Sequence, residues 1–363
     1  MSNHPLAAPQ SPIASVATQA RAFIEACDAF FFTPSVPYTH AAIRVMAGLM
    51  ILYIHFCFSF WLGEYVGPRA WITQPVVDML RVEATEYPSL PMDWVNDPSN
   101  PSTIYKGMTT FSIFYHVTDM PSVWLVHAGI LAANLMLVLG FMTRFAAVAT
   151  WIGAISYIQR AQTSLFGLDT LTSIFLFYLC LAPCGAVWSV DSWLAARRAR
   201  RLGLPAPKPV ATSGATFVQR LMQIHFAIIY IGAGTSKLMG NSWWGGTAVW
   251  GVMANSSFAP LEFEAYYQGL AFLCRHRWLW EFVMSSLVVF TLVVELGLPF
   301  IVWFPRARWI IMCGSLLLHT GIGYIMGLTV FGISMVVLLF AFVPSEKAKL
   351  MWEHLTGGKP QTS

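Results

Sequence analysis

The stretch Tyr230-Ile231-Gly232-Ala233-Gly234-Thr235-Ser236-Lys237-Leu238 ends an apolar run on a lysine, and Trp243, Trp244, Gly245 and Gly246 follow at once. Apolar walls disfavour the ammonium form of a lysine, which lets the side chain serve as a base. Snorkelling of the same lysine to lipid headgroups is the plainer reading of its position. Two glycines in the run permit close approach of a neighbouring helix. The string is not a phosphate-binding loop, because it lacks the Gly-Lys-Ser/Thr order. Glu295, in Val293-Val294-Glu295-Leu296-Gly297, sits in the middle of another apolar run, His225 sits in the run that ends on Lys237, and His55 and His319 sit in two more. Ionisable groups at such positions are costly, so each is a functional candidate. Glu295 needs a partner such as Arg308, Lys237 or a histidine. A histidine in a span is also an ordinary helix-to-helix hydrogen bonder. Arg44, near the end of its run, is placed to snorkel. His116 and Asp119 are spaced to pair, but two residues make no metal site, and no metal is expected.

These residues must be held by elements, and the composition says which kind. Of 363 residues, 56% are hydrophobic and only 10% charged, against about a quarter charged in a soluble domain. Runs of the length that crosses a hydrocarbon core recur, without the alternation of a barrel strand. The expected fold is therefore all-α: a polytopic integral membrane bundle of about eight transmembrane helices. They are placed at 40–62, 122–140, 145–163, 168–186, 216–236, 282–304, 308–327 and 328–345. Basic residues outnumber on one set of alternating loops, including Arg144, the Arg197–Arg201 cluster, Arg306, Arg308, Lys347 and Lys349. That excess places both termini in the cytoplasm, N-in/C-in.

Residues 1–39 are expected as a cytoplasmic segment, partly disordered or interfacial, 40–345 as the transmembrane domain and 346–363 as a cytoplasmic tail. The aromatic-rich stretch 243–280 reads as re-entrant or interfacial helices on the outside face. The Arg-rich linker reads as a stop-transfer cluster compatible with anionic lipid, not as a nucleic-acid site. Asn255-Ser256-Ser257 is a formal glycosylation sequon. The six cysteines show no metal or disulfide spacing. No cleaved signal peptide is expected, and the setting fits a bacterial inner membrane.

Several segments share an order: Arg44 and Gly48 in Ile43–Gly48, Leu139-Gly140-Phe141-Met142-Thr143-Arg144, Trp188-Ser189-Val190-Asp191, Tyr230–Leu238, then Glu295, Arg308 and His319. Together, over about residues 40–345, they resemble the transmembrane domain of vitamin K-dependent gamma-glutamyl carboxylase, shared with the bacterial HTTM (horizontally transferred transmembrane) family. The resemblance implies that Lys237, in Ala233-Gly234-Thr235-Ser236-Lys237-Leu238, is the base that deprotonates a reduced, vitamin K-like quinone at the outside face. Glu295 and His319 would position or polarise groups, and an outward cavity ringed by Lys237, Trp243, Trp244 and the first outside loop would take a lipid-soluble substrate, with Tyr230, Gly234, Trp243 and Trp244 as its binding residues. The family's second histidine is missing, and Leu168-Asp169 stands in its neighbourhood, so Asp169 is the candidate replacement. The family's large lumenal domain is also missing, so carboxylation of protein glutamate is not expected. Two other readings stay open: a non-catalytic lipid- or quinone-binding or assembly protein, and a transporter using Glu295 and His319. Membrane lipids and a lipid-soluble small molecule are the expected partners.

Overall fold

The computed structural model describes residues 12–77, 110–255 and 264–357. All regular elements among these residues are helical. The helices are α1 (Pro12–Phe32), α2 (Tyr38–Phe58), α3 (Leu62–Tyr65), α4 (Met120–Leu139), α5 (Thr143–Arg160), α6 (Gly167–Leu181), α7 (Val190–Arg201) and α8 (Ser213–Leu238). They continue with α9 (Asn241–Trp244), α10 (Ala248–Met253), α11 (Glu264–Arg275), α12 (Arg277–Ile301), α13 (Arg308–Ile325), α14 (Thr329–Leu339) and α15 (Ser345–Leu355).

A helix falls on each of the eight expected segments. Three of them are long and apolar enough to cross a membrane: Tyr38–Tyr65, Met120–Leu139 and Arg277–Ile301. Gly167–Leu181 and Thr329–Phe342 are apolar but shorter. A 15-residue helix spans only about 22 Å, less than a ~30 Å hydrocarbon core. Only 33% of the apolar window of Tyr38–Tyr65 is buried in the molecule. Most of that helix therefore needs an apolar surrounding beyond the chain's own core.

Sequential packing of α2, α4, α5 and α6 forms one half of the bundle, and α8, α12, α13 and α14 form the other. The short α14 closes the two halves by packing on both α2 and α6. The core runs through both, from Ile43, Ala47 and Leu137 to Phe226, Leu298 and Phe342. The ends are tied down as well. Phe31 and Phe32 pack on Phe217, so α1 docks along α8. The Trp352 ring stacks on that of Trp188 at 4.7 Å, which fastens α15 to the rest.

Arg44 does not snorkel. It is fully buried and donates from Nη2 to the Trp188 carbonyl at 2.5 Å. The close packing of the α4–α5 turn explains this, since a Cβ on Gly140, at φ 67, would overlap the guanidinium. Asp191 finishes the same corner, accepting the Met142 N–H at 2.9 Å, the Thr143 N–H at 2.9 Å and the Thr143 hydroxyl at 2.7 Å. Partial burial opposes the Asp191 charge, but these donors and the Arg44 charge prevail and hold its carboxyl below the usual carboxylate range. A depressed acid pKa stabilises the fold above the unfolded value, about pH 4, and that contribution fades as pH falls through the folded value. Asp191→Asn should therefore melt lower at pH 7 in detergent and show a flatter acid side than wild type. Circular dichroism melts from pH 3 to 7 check this.

Gly234 lets α8 approach α12. A Cβ there would lie 2.6 Å from Leu296 Cδ2 and 3.4 Å from Glu295 Cβ. Gly232, two residues earlier, has open space around it. Gly234→Ala should lose about 1–3 kcal/mol of stability through overpacking, while Gly232→Ala should melt within a degree or two of wild type or above it. Paired melts of the two variants test the close approach.

Candidate functional site

Helix α8 presents Tyr230, Gly234 and Lys237 at i, i+4 and i+7, a spacing that stacks them on one face. The small residue between two functional ones brings α12 close enough for Glu295 to reach the lysine. Lys237 Nζ lies 2.9 Å from Glu295 Oε1 and 2.8 Å from Oε2. The ammonium donates to Oε1, and Oε2 has no other hydrogen-bond partner. The Glu295 side chain is 7% exposed and that of Lys237 24%, so the pair is largely shielded from solvent. Of the partners open to Glu295 in the sequence, Lys237 is the one it takes. The Trp243 ring centroid stands 5.4 Å from Nζ and adds a cation–π contact. Trp244, by contrast, is mostly exposed and donates from Nε1 to the Leu238 carbonyl at 2.6 Å.

Two turns back along α8, about 10 Å by helix geometry, the Tyr230 hydroxyl is shared between two groups of α13. It lies 2.5 Å from His319 Nε2 and 2.6 Å from Ser315 Oγ. Tyr230, Ser315 and His319 are all buried. His319 Nδ1 is buried without a hydrogen-bond partner, an arrangement that native interiors usually avoid.

That histidine lines a cavity of about 1050 Å³ between α2, α13 and α14. Met46, Met50, Leu316, Ile333 and Val336 make most of its wall apolar. Leu49, Tyr53 and Tyr324, at its rim, are more than half exposed on the outer surface of the bundle. The opening is therefore sideways. None of Lys237, Trp243 or Trp244 lines this cavity, which differs from the outward cavity expected around them. Gly332 allows α14 to pass tightly over α13, for a Cβ there would come 2.6 Å from the His319 carbonyl oxygen.

Asp169 stays apart from the pair. It sits in the first turn of α6, where Oδ2 accepts the Phe166 N–H at 2.9 Å. Near its helix start, Phe331 packs on Gly167, and the Phe331 ring is 6.2 Å from that of His319.

His225 and His55 serve as helix-to-helix hydrogen bonders. Tyr178 and His225 are joined at 3.0 Å, and His55 Nδ1 meets Asn134 at 2.7 Å. Sequence reasoning missed His127, which is fully buried between the Ser59 hydroxyl at 2.7 Å and the Tyr157 hydroxyl at 2.5 Å. Its place at mid-run in 122–140 carried the same signal as the histidines that were singled out. His116 and Asp119 do not pair. Asp119 caps α4 by accepting the Ser122 N–H at 3.0 Å, and that bond holds its carboxyl below the usual range. Among the described residues no group of three or more potential ligands could hold a metal ion. Two residues of the sequon, Ser256 and Ser257, lie outside the described residues, as does most of the acidic stretch of the loop at 63–121.

The site thus combines a shielded carboxylate–ammonium pair, a buried Tyr–His dyad and an apolar chamber reached from the side. A search against known protein families, curated proteins and solved structures yields no match to this chain.

Removing one member of the pair strands the other in a largely dry setting. Lys237→Met and Glu295→Gln should each lose about 2–4 kcal/mol, somewhat below a fully buried pair because the lysine is partly exposed. The double variant should recover at least half of the summed loss, read as a non-zero coupling energy in a double-mutant cycle of detergent melts.

Proposed function

We propose that this chain is an eight-span, N-in/C-in enzyme of a bacterial inner membrane, of the HTTM type, acting on a quinol or similar lipid-soluble substrate. The single observation that carries the reading is the apolar chamber that ends on His319 with its Nδ1 unpartnered. An apolar chamber with a few convergent polar groups is the usual form of a small-molecule site. Here the wall favours a hydrocarbon body, the sideways opening favours entry from lipid, and the unpartnered nitrogen favours one oxygen on the ligand. The volume of about 1050 Å³ accommodates a bicyclic ring with part of an isoprenoid tail.

In this reading a small shift of the His319 ring brings Nδ1, buried at rest, to the substrate oxygen. Tyr230 and Ser315 hold the ring in place through Nε2. The resting ammonium–carboxylate pair of Lys237 and Glu295 holds one exchangeable proton between its two heteroatom groups and can take a second. Acceptance of that proton leaves an ammonium beside a neutral carboxylic acid, whichever atom receives it first. In this reading the base is the Lys237–Glu295 pair and not the lysine alone, and the reacting end of the substrate has to reach past Tyr230 to meet it, since neither residue lines the chamber. Asp169, bound to its own helix terminus, has no part in this chemistry.

A second reading draws on the same ion pair. A salt bridge that locks α8 to α12 is also what a lipid-holding protein without catalysis would use, with the chamber as its binding site. Quinol turnover decides between them. Purified protein in nanodiscs would receive reduced naphthoquinone, oxygen and carbon dioxide, with products followed by mass spectrometry. Wild type should form a product, and Lys237→Ala should lower its rate by about 100-fold or more. An untouched quinol together with a tightly bound native lipid would replace catalysis by the holding function. Flux across sealed vesicles that fails in Glu295→Gln, with no product, would make the chain a transporter.

A further inference from the structure

A smaller cavity, about 230 Å³, lies at the end of α8 remote from Lys237. From Arg220 to Lys237 the helix rises about 25 Å, so the two sites are separate. Arg220 from α8 and Arg308 from α13 both line this cavity, and Ser35, Thr216, Gln219 and Ser345 add hydroxyl and amide groups. No carboxylate is among its lining residues, and neither arginine forms an ion pair among the described residues.

The protein spends only part of each guanidinium on itself. Arg220 donates from Nε to the Phe30 carbonyl at 3.0 Å and from Nη1 to Gln223 Oε1 at 2.8 Å. Arg308 donates from Nε to the Val302 carbonyl at 2.9 Å. Among the described residues, Arg220 Nη2 and both terminal nitrogens of Arg308 have no hydrogen-bond acceptor. Each bond to a carbonyl fixes a guanidinium plane, and the Phe30 ring, 4.3 Å from the Arg220 carbon, fixes one further. Two like charges are thus held against one half-closed cavity, although their repulsion would drive free side chains apart. Such an arrangement is favourable when an anion lies between them. The neighbouring Thr216 hydroxyl is committed to the Thr33 carbonyl and Ser35 Oγ, and the Gln219 amide donates to the Ala341 carbonyl at 2.8 Å, so the two guanidiniums supply the donors for an oxyanion. Beside them Phe32 and Phe217, partly exposed and stacked at 5.5 Å, form an apolar shelf continuous with Thr216.

We infer that the Arg220–Arg308 cavity binds a phosphate-bearing anion, either the headgroup of an acidic lipid or free phosphate. The guanidinium planes offer paired N–H donors to phosphate oxygens, a match that lysine would not provide. The aromatic shelf gives acyl chains a place to lie if the source is a lipid. The site would fasten the docked α1 segment to α8 and α13, because Arg220 is held by the Phe30 carbonyl on one side and would share the anion with Arg308 on the other.

The test is thermal unfolding of delipidated protein in neutral detergent, titrated with phosphatidic acid, phosphatidylcholine of the same chains, and inorganic phosphate. Phosphatidic acid should raise the melting temperature of wild type by several degrees more than phosphatidylcholine does. Arg220→Gln/Arg308→Gln should weaken its apparent affinity about tenfold or more. Arg308→Gln alone serves the same end if the double variant does not fold, and Arg308→Lys should regain only part of the effect. A response to phosphatidic acid but not to phosphate identifies a lipid headgroup, and equal responses identify free phosphate. Wild type that responds to neither probe, or an Arg308→Gln variant that responds as wild type does, overturns the assignment.

Discussion

In this chain an ionisable side chain has to find its partner inside the bundle, and that constraint explains the arrangement of the helices. Water is not at hand to solvate Glu295, which would be costly if left alone. Lys237 satisfies it, and the two groups cross-link α8 to α12 at 2.8–2.9 Å. Gly234 exists to make that distance attainable, since any side chain there would meet Leu296. Polar pairing and small-residue packing are thus one device. The same logic recurs where Arg44 takes the Trp188 carbonyl, where Arg160 takes that of Ile72, and where His127 is shared by two hydroxyls.

How far could this be read from the residues alone? The helices were legible because continuous apolar runs leave the backbone no other way to satisfy itself in hydrocarbon. The boundaries agree to within a few residues, apart from the end of the fourth segment, the start of the sixth and the end of the eighth. Helix α6 stops at Leu181, α12 starts at Arg277, and Phe340–Phe342 tightens into a 3₁₀ turn after α14. Of the candidate residues, Lys237, Glu295, Tyr230, Gly234 and Trp243 come together as one contiguous face, and His319 joins them through Tyr230. Trp244 and Asp169 do not: Trp244 spends its N–H on the Leu238 carbonyl at the end of α8, and Asp169 caps its own helix start.

What was not legible has a common cause. A sequence shows that Glu295 needs a cation without showing which one is within reach, as that depends on how two helices far apart in the chain are rotated. The fate of Arg44 depends on a turn at Gly140 that folds over it. The convergence of Arg220 and Arg308 is a fact of tertiary structure, since the two lie 88 positions apart on different helices. The sideways chamber at His319 likewise lies between α2, α13 and α14, and no local pattern announces a gap between helices.

The rim of that chamber is formed by Leu49, Tyr53 and Tyr324, which face away from the core. A molecule that reaches His319 by this route arrives from hydrocarbon, and the quantity that governs its binding is its mole fraction among the surrounding lipids, not its molarity in the buffer. Adding lipid at constant ligand would empty the chamber although nothing in the aqueous phase had changed. Occupancy would then respond to the composition of the membrane itself, so that a shift in the ratio of such molecules to bulk lipid acts on this protein directly.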